Sequence, residues 1–191
     1  MGSGMVQTST KRLSLEEFLA LPETEPASEY INGTISQKPM PQGKHSILQR
    51  ELSFALTLAF RPAGIAQAFP ELRCTFGGRS IIPDIAVFRT ERIPSDRNGE
   101  IANSFNLPPD WAIEILSPSQ SQTRVTRNVI HCLNHGCEMG WIIDPAEALI
   151  FTYGSGKSID VFEDRSVKLP TPEFASAVEL TPGEVFAWLK I

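Results

Sequence analysis

The sequence predicts an α/β (α+β) fold in one domain, and three observations carry that expectation. The chain has 191 residues, the size of one ordinary domain with one hydrophobic core. Hydrophobic residues make up 41% and charged residues 20%, the composition of a globular chain and not of a disordered one. The middle of the chain alternates helix-period segments with strand-like apolar runs, in the order helix, three strands, helix, strand.

Residues 1–12 are polar and Gly/Ser-rich with a second methionine, Met5, and read as a disordered or expression-derived tail ahead of a single domain over 13–191. Ser14-Leu15-Glu16-Glu17 is a capping box that opens a short helix ending before Pro22. Glu29 to Met40 reads as a hairpin, with Asn32-Gly33 supplying the positive φ angles of a tight turn. Lys44 to Phe60 is the first long helix, with Ile47, Leu48, Leu52, Ala55, Leu56 and Ala59 on one face. Gln67–Phe76 and Ile81–Phe88 read as two strands joined by Gly77-Gly78, and Pro70 suggests an edge position or a bulge in the first. Thr90 to Pro109 is a polar surface excursion. Trp111–Leu116 is the next strand. A second long helix is capped near Ser121 and stopped by Gly136. Trp141–Asp144, Leu149–Tyr153 and Ile159–Phe162 are strands. Thr181-Pro182-Gly183-Glu184 is a second capping box, which opens a closing helix.

Composition also removes function classes. No apolar run approaches the roughly 18–20 residues that span a bilayer, so no membrane role is expected. Cys74, Cys132 and Cys137 are odd in number and lack paired spacing, which argues for a reducing, cytoplasmic home. A net charge of −5 counts against a general nucleic-acid binder, although a cleft is governed by its local charge.

Two acids stand out. Ile82-Pro83-Asp84-Ile85-Ala86-Val87 and Trp111-Ala112-Ile113-Glu114-Ile115-Leu116 each place one carboxylate in an apolar strand. Burying an ionised carboxylate is costly unless something pairs with it. Each acid either pairs with an arginine, points to solvent from an edge strand, or meets a hard divalent cation, which favours carboxylate oxygens and water. Two such acids in consecutive strands favour the cation, with Asp84 and Glu114 as its ligands.

At these residues a resemblance becomes visible. The element order and Pro83-Asp84 with Glu114 resemble the core of the PD-(D/E)XK nuclease superfamily. Over about 13–191 the chain is similar to a bacterial family of restriction-endonuclease relatives within it. The similarity lies in Glu29-Tyr30-Ile31-Asn32-Gly33, His45, Pro83-Asp84-Ile85-Ala86, the run from Pro109 through Glu114-Ile115-Leu116-Ser117-Pro118-Ser119, and Gly140-Trp141-Ile142-Ile143-Asp144-Pro145. The resemblance implies a restriction-endonuclease-like core, with a mixed central sheet flanked by helices. It further implies Mg²⁺ (or Mn²⁺) held by Asp84 and Glu114, DNA as substrate, and cleavage of phosphodiester bonds by a homodimer with two-fold symmetry. Glu29 and His45 match family positions and become candidates for metal, water or phosphate contacts.

The chain departs from the pattern at one position. The superfamily places a basic residue beside its second acid, where this chain has Leu116. In the similar family that lysine moves to the following helix, and here the position falls on Asn128, with Cys132 at the family's tyrosine. Asparagine carries no charge and accepts no proton as a base. Arg124, one turn earlier, could stabilise a phosphate oxyanion but not act as a base. The chain is therefore either an impaired nuclease, unless a lysine such as Lys38 or Lys44 folds in, or a catalytically inactive protein that binds nucleic acid or a protein partner.

Other motifs are weaker. His131 and His135 have helical spacing that could bind zinc, but no second ligand pair accompanies them and a solvated helix face is the simpler reading. Gly154-Ser155-Gly156 is a hairpin turn, and Trp111 and Trp141 are expected in the core.

Overall fold

The computed structural model of the chain describes residues 13–118, 120–156 and 158–191, so the predicted tail over 1–12 and Ser119 lie outside the described residues. Helix α1 (Leu15–Leu19) starts at the Ser14 capping box, whose reciprocal bonds to Glu17 are both made. Strands β1 (Ser28–Ile31) and β2 (Thr34–Gln37) form the expected hairpin. Asn32 and Gly33 take φ of 52° and 84°. Helix α2 (Gly43–Phe60) follows.

The next segment corrects the sequence reading. In place of two long strands the chain makes four short ones: β3 (Ala66–Pro70), β4 (Cys74–Phe76), β5 (Arg79–Ile81) and β6 (Ile85–Arg89). The breaks have local causes. Pro70 ends β3 and Glu71 turns the chain with φ of 51°, a conformation uncommon for a residue other than glycine. Pro83 has no N–H to extend a ladder between β5 and β6. Gly77-Gly78 joins β4 to β5, not the two long strands.

These breaks divide the strands between two sheets. β4 and β5 join the hairpin in a small sheet ordered β2-β1-β5-β4. The large sheet adds β7 (Trp111–Ile115), β8 (Met139–Asp144), β9 (Leu149–Gly154) and β10 (Ile159–Phe162) and is ordered β10-β9-β8-β7-β6-β3. β3 holds an edge, where its proline is tolerated. Among the named strands β7 and β8 alone pair in parallel, and helix α3 (Gln122–Asn134) makes the crossover between them. Gly136 ends that turn with φ of 103°. Ser121 flanks α3 without a side-chain cap bond. Helix α4 (Pro182–Ala187) begins at the second capping box, again complete. No helix among the described residues is long and apolar enough to cross a membrane.

The sheet's alternation decides what each helix covers. Ile85, Val87, Trp111, Ile113, Ile115, Trp141 and Ile143 pack with Leu48, Leu52, Leu56 and Phe60 of α2 in the main core. Trp111 and Trp141 meet edge to face there, with centroids 4.8 Å apart. The opposite face carries Ala86, Ala112 and Ile142 toward α3. α3 lies close: a Cβ at Gly140 would stand 2.2 Å from Val129 Cγ1. Gly140→Ala is therefore expected to lower stability by about 1–3 kcal/mol, the usual cost of overpacking. An unchanged urea midpoint would show that α3 is not held at this distance.

Candidate active site

β6 and β7 pair antiparallel through Ile85↔Ile113, so Asp84, just before β6, and Glu114 of β7 come to the same end of the two strands and act on each other electrostatically. Asp84 is 1% exposed and Glu114 3% exposed. Asp84 ends the ladder with its side chain: Ile115 N–H donates to Asp84 Oδ2 at 2.7 Å.

The other Asp84 oxygen meets a lysine. Lys38 follows β2, and its Nζ donates to Asp84 Oδ1 at 2.6 Å, to Ile82 O at 2.9 Å and to Glu71 Oε2 at 3.0 Å. His45, in the first turn of α2, brings Nε2 to 3.5 Å from the same Asp84 oxygen, and its Nδ1 shares a hydrogen bond of 3.3 Å with Ser117 Oγ. Gln49, one turn further along α2, donates from Nε2 to Glu71 Oε1 at 3.0 Å and to Asp84 O at 2.8 Å.

Glu29, in the hairpin, is a buried acid. Its Oε1 accepts from Ile82 N at 3.0 Å, and Arg124 Nη2 reaches Oε2 at 3.0 Å. Asn128 Nδ2 lies 3.2 and 3.3 Å from the two oxygens, while Asn128 Oδ1 is buried without a partner. Arg124 and Asn128 thus act on Glu29, and Lys38 is the cation on Asp84.

The electrostatics follow from burial and proximity. Burial alone would raise the Asp84 pKa, but the His45 hydrogen bond and the Lys38 charge more than offset it and hold the group low. Burial pulls Lys38 down, and Asp84, Glu114 and Glu71 together reverse this, so the ammonium stays protonated. Glu114 is pushed well above its ordinary value, by burial first and then by Asp84. None of the hydrogen bonds described above reaches Glu114. Lys38 offsets part of the Glu114 charge, and a hard divalent cation held by Asp84 and Glu114 would offset more, so these residues could hold one.

Comparisons with known proteins show the family. The family described as "Uma2: Putative restriction endonuclease" matches residues 15–183. The chain belongs to the Uma2 family. It is also similar to a solved crystal structure, "a putative nuclease belonging to DUF820 from Anabaena variabilis ATCC 29413", with 56% identity and a TM-score of 0.91 over 92% of this chain and 98% of that one. No curated protein matches. The Uma2 fold is thus the restriction-endonuclease-like α+β fold expected from the sequence, with a mixed central sheet flanked by helices.

Of the residues singled out from sequence, Asp84, Glu114 and His45 gather at one end of β6 and β7, and Glu29, Arg124 and Asn128 form a second cluster joined to it through Ile82. Glu71 and Gln49 had not been singled out. Glu71 carried one signal, an acid directly after the proline that breaks β3. The His131–His135 pair is occupied otherwise. His131 Nε2 lies 3.2 Å from Phe76 O and His135 Nδ1 2.8 Å from His131 O, and the His131 ring stacks on Phe76 at 4.7 Å. Burial pushes the His131 pKa down to about 4, which fits a neutral packing histidine.

Proposed function

We propose that this Uma2 chain hydrolyses phosphodiester bonds of DNA with one divalent cation, Mg²⁺ or Mn²⁺, held by Asp84 and Glu114. The observation that carries this reading is the presence of two buried, interacting acids, Asp84 and Glu114, with the Lys38 ammonium 2.6 Å from Asp84. The family's description as a restriction endonuclease supports the choice of substrate. A recess of about 440 Å³ beside Glu29, lined by Arg124, Arg127, Asn32, Thr34 and Ser36, gives locally basic ground for a phosphate backbone.

A bound cation would offset phosphate charge and favour ionisation of a water. The remaining work falls to the chain. Asp84 is kept ionised and fixed by Ile115 N–H. Lys38, with its pKa raised, holds its proton and serves as a fixed positive charge beside the phosphate, not as a base. Through the Ile82 amide, Glu29 fixes the segment that carries Asp84, and Gln49 and the His45–Ser117 contact anchor α2 against it. Water oxygen adds to phosphorus, one P–O ester bond breaks, and the water's proton balances the alkoxide that leaves. The lysine expected at position 128 is thus replaced in charge, although not in place, by Lys38.

The test is cleavage of plasmid and single-stranded DNA with Mg²⁺, Mn²⁺ or EDTA, by wild type and Asp84→Ala. Metal-dependent cleavage that Asp84→Ala removes is the expected result. DNA that is bound but cut by neither protein would favour the inactive binding protein instead. We extend the proposal to a two-fold homodimer, which would present two such sites to a duplex; light scattering on the same sample tests it, and a monomer at high concentration would remove that part.

A further inference from the structure

The corner around Lys38 holds more than one charged pair. Ligand atoms of His45, Glu71 and Asp84 all lie within 4.8 Å of one another. Each is aimed by a neighbour. Gln49 holds Glu71 Oε1, leaving Oε2 for the corner. Ser117 holds His45 Nδ1, which turns Nε2 toward Asp84, the kind of outer support that orients a metal-ligating histidine. The Ile82 carbonyl adds a further oxygen. The three hydrogens of an ammonium are matched by three acceptors, Asp84 Oδ1, Glu71 Oε2 and Ile82 O, at 2.6–3.0 Å. The Lys38 side chain is 9% exposed. Beside this corner stands Glu114, buried and untouched by these bonds, with Asp84 between the two.

We propose that His45, Glu71 and Asp84, with the Ile82 carbonyl, form a second cation subsite next to that of Asp84 and Glu114, and that the Lys38 ammonium is its resident cation. The inference rests on the proposed Asp84–Glu114 metal centre for its first ion only. The protein thereby takes one divalent ion, its own lysine standing where a second would otherwise sit. One imidazole nitrogen among oxygens sets the preference of the subsite. It suits Mn²⁺, because Mg²⁺ favours oxygen ligands and retains its waters.

Counting bound Mn²⁺ tests this, by calorimetry and by the paramagnetic resonance signal of free Mn²⁺. Wild type and Lys38→Arg are expected to bind one ion per chain, Lys38→Met two, and the double variant Lys38→Met with Glu71→Gln one again. Two ions on wild type, no gain in Lys38→Met, or two ions retained in the double variant would each overturn the subsite. No ion on wild type with one on Lys38→Met would keep the subsite and remove the Asp84–Glu114 centre, so the two readings fail separately. A Lys38→Met chain that folds only with Mn²⁺ supports the inference, because the ion then replaces the ammonium. One that is unfolded with and without Mn²⁺ overturns it.

Discussion

Lys38→Met is expected to lower Mg²⁺-dependent DNA cleavage by about 10²–10³, the range for removing one electrostatic stabiliser of the transition state. Methionine keeps the length and apolar stem of the lysine and removes only the charge and its three hydrogen bonds. Asp84 then loses its nearest cation while remaining almost wholly buried. Breaking one side of such a pair costs about 3–5 kcal/mol, so activity has to be expressed per folded molecule, with the folded fraction read by circular dichroism. Two further comparisons localise the effect. In Mn²⁺ the loss is expected to be smaller, because the imidazole-bearing corner can then take an ion. Asn128→Lys in the wild-type background is expected to change the rate by less than about tenfold, because one fixed ammonium already serves the phosphate. In the Lys38→Met background the same substitution is expected to recover less than about tenfold, because the side chain at position 128 faces Glu29 and not Asp84. A Lys38→Met enzyme of wild-type rate in Mg²⁺ would show that Lys38 is a structural ion-pair partner alone.

The parts of the fold that follow from local chemistry were legible in the sequence. Two capping boxes, the Asn32-Gly33 turn and the Gly136 stop each act within four or five residues, and each stands where its residues place it. The division of 67–88 into four strands was not legible. Periodicity records that these residues are half-buried or buried, but not that the chain leaves one sheet for another at Glu71 and returns at Pro83. The site divides in the same way. Asp84 and Glu114 were visible because a charge in an apolar strand needs a partner. Lys38 was one of two lysines the sequence offered for the missing charge, with nothing to choose it over Lys44, and Glu71 and Gln49 come from two other segments and do not depart from an ordinary surface pattern. Only the folded arrangement brings Lys38 46 residues along the chain to Asp84. Gap-free counting put Asn128 where the family's lysine is expected beside the metal, but in the structure Asn128 faces Glu29, and the charge on Asp84 comes from Lys38, just after the hairpin.

Glu114→Gln is expected to stabilise the metal-free protein while it removes cleavage. Glu114 is buried, and its folded pKa lies well above the ordinary 4.5. The folded chain therefore binds its proton more tightly than the unfolded chain does. The stability this provides is fully present below about pH 4.5, and it is lost as pH rises through the raised folded value. Near pH 8 the wild type must either bury a carboxylate that the shared Lys38 charge compensates only in part or hold a proton against the solution. Glutamine has the same shape and no charge. The variant is expected to be more stable in EDTA at about pH 8 by roughly 1–3 kcal/mol, the scale for a buried group without a partner, and the difference should shrink toward pH 4.5. Added Mg²⁺ or Mn²⁺ should reverse the order. An ion at 100 times its dissociation constant stabilises the wild type by about 2.7 kcal/mol, and the variant has lost a ligand. Urea unfolding of both proteins, at two pH values and with and without metal, measures every term. A variant less stable than wild type in EDTA, or one stabilised equally by the metal, would show that Glu114 is not an acid kept buried to hold a cation.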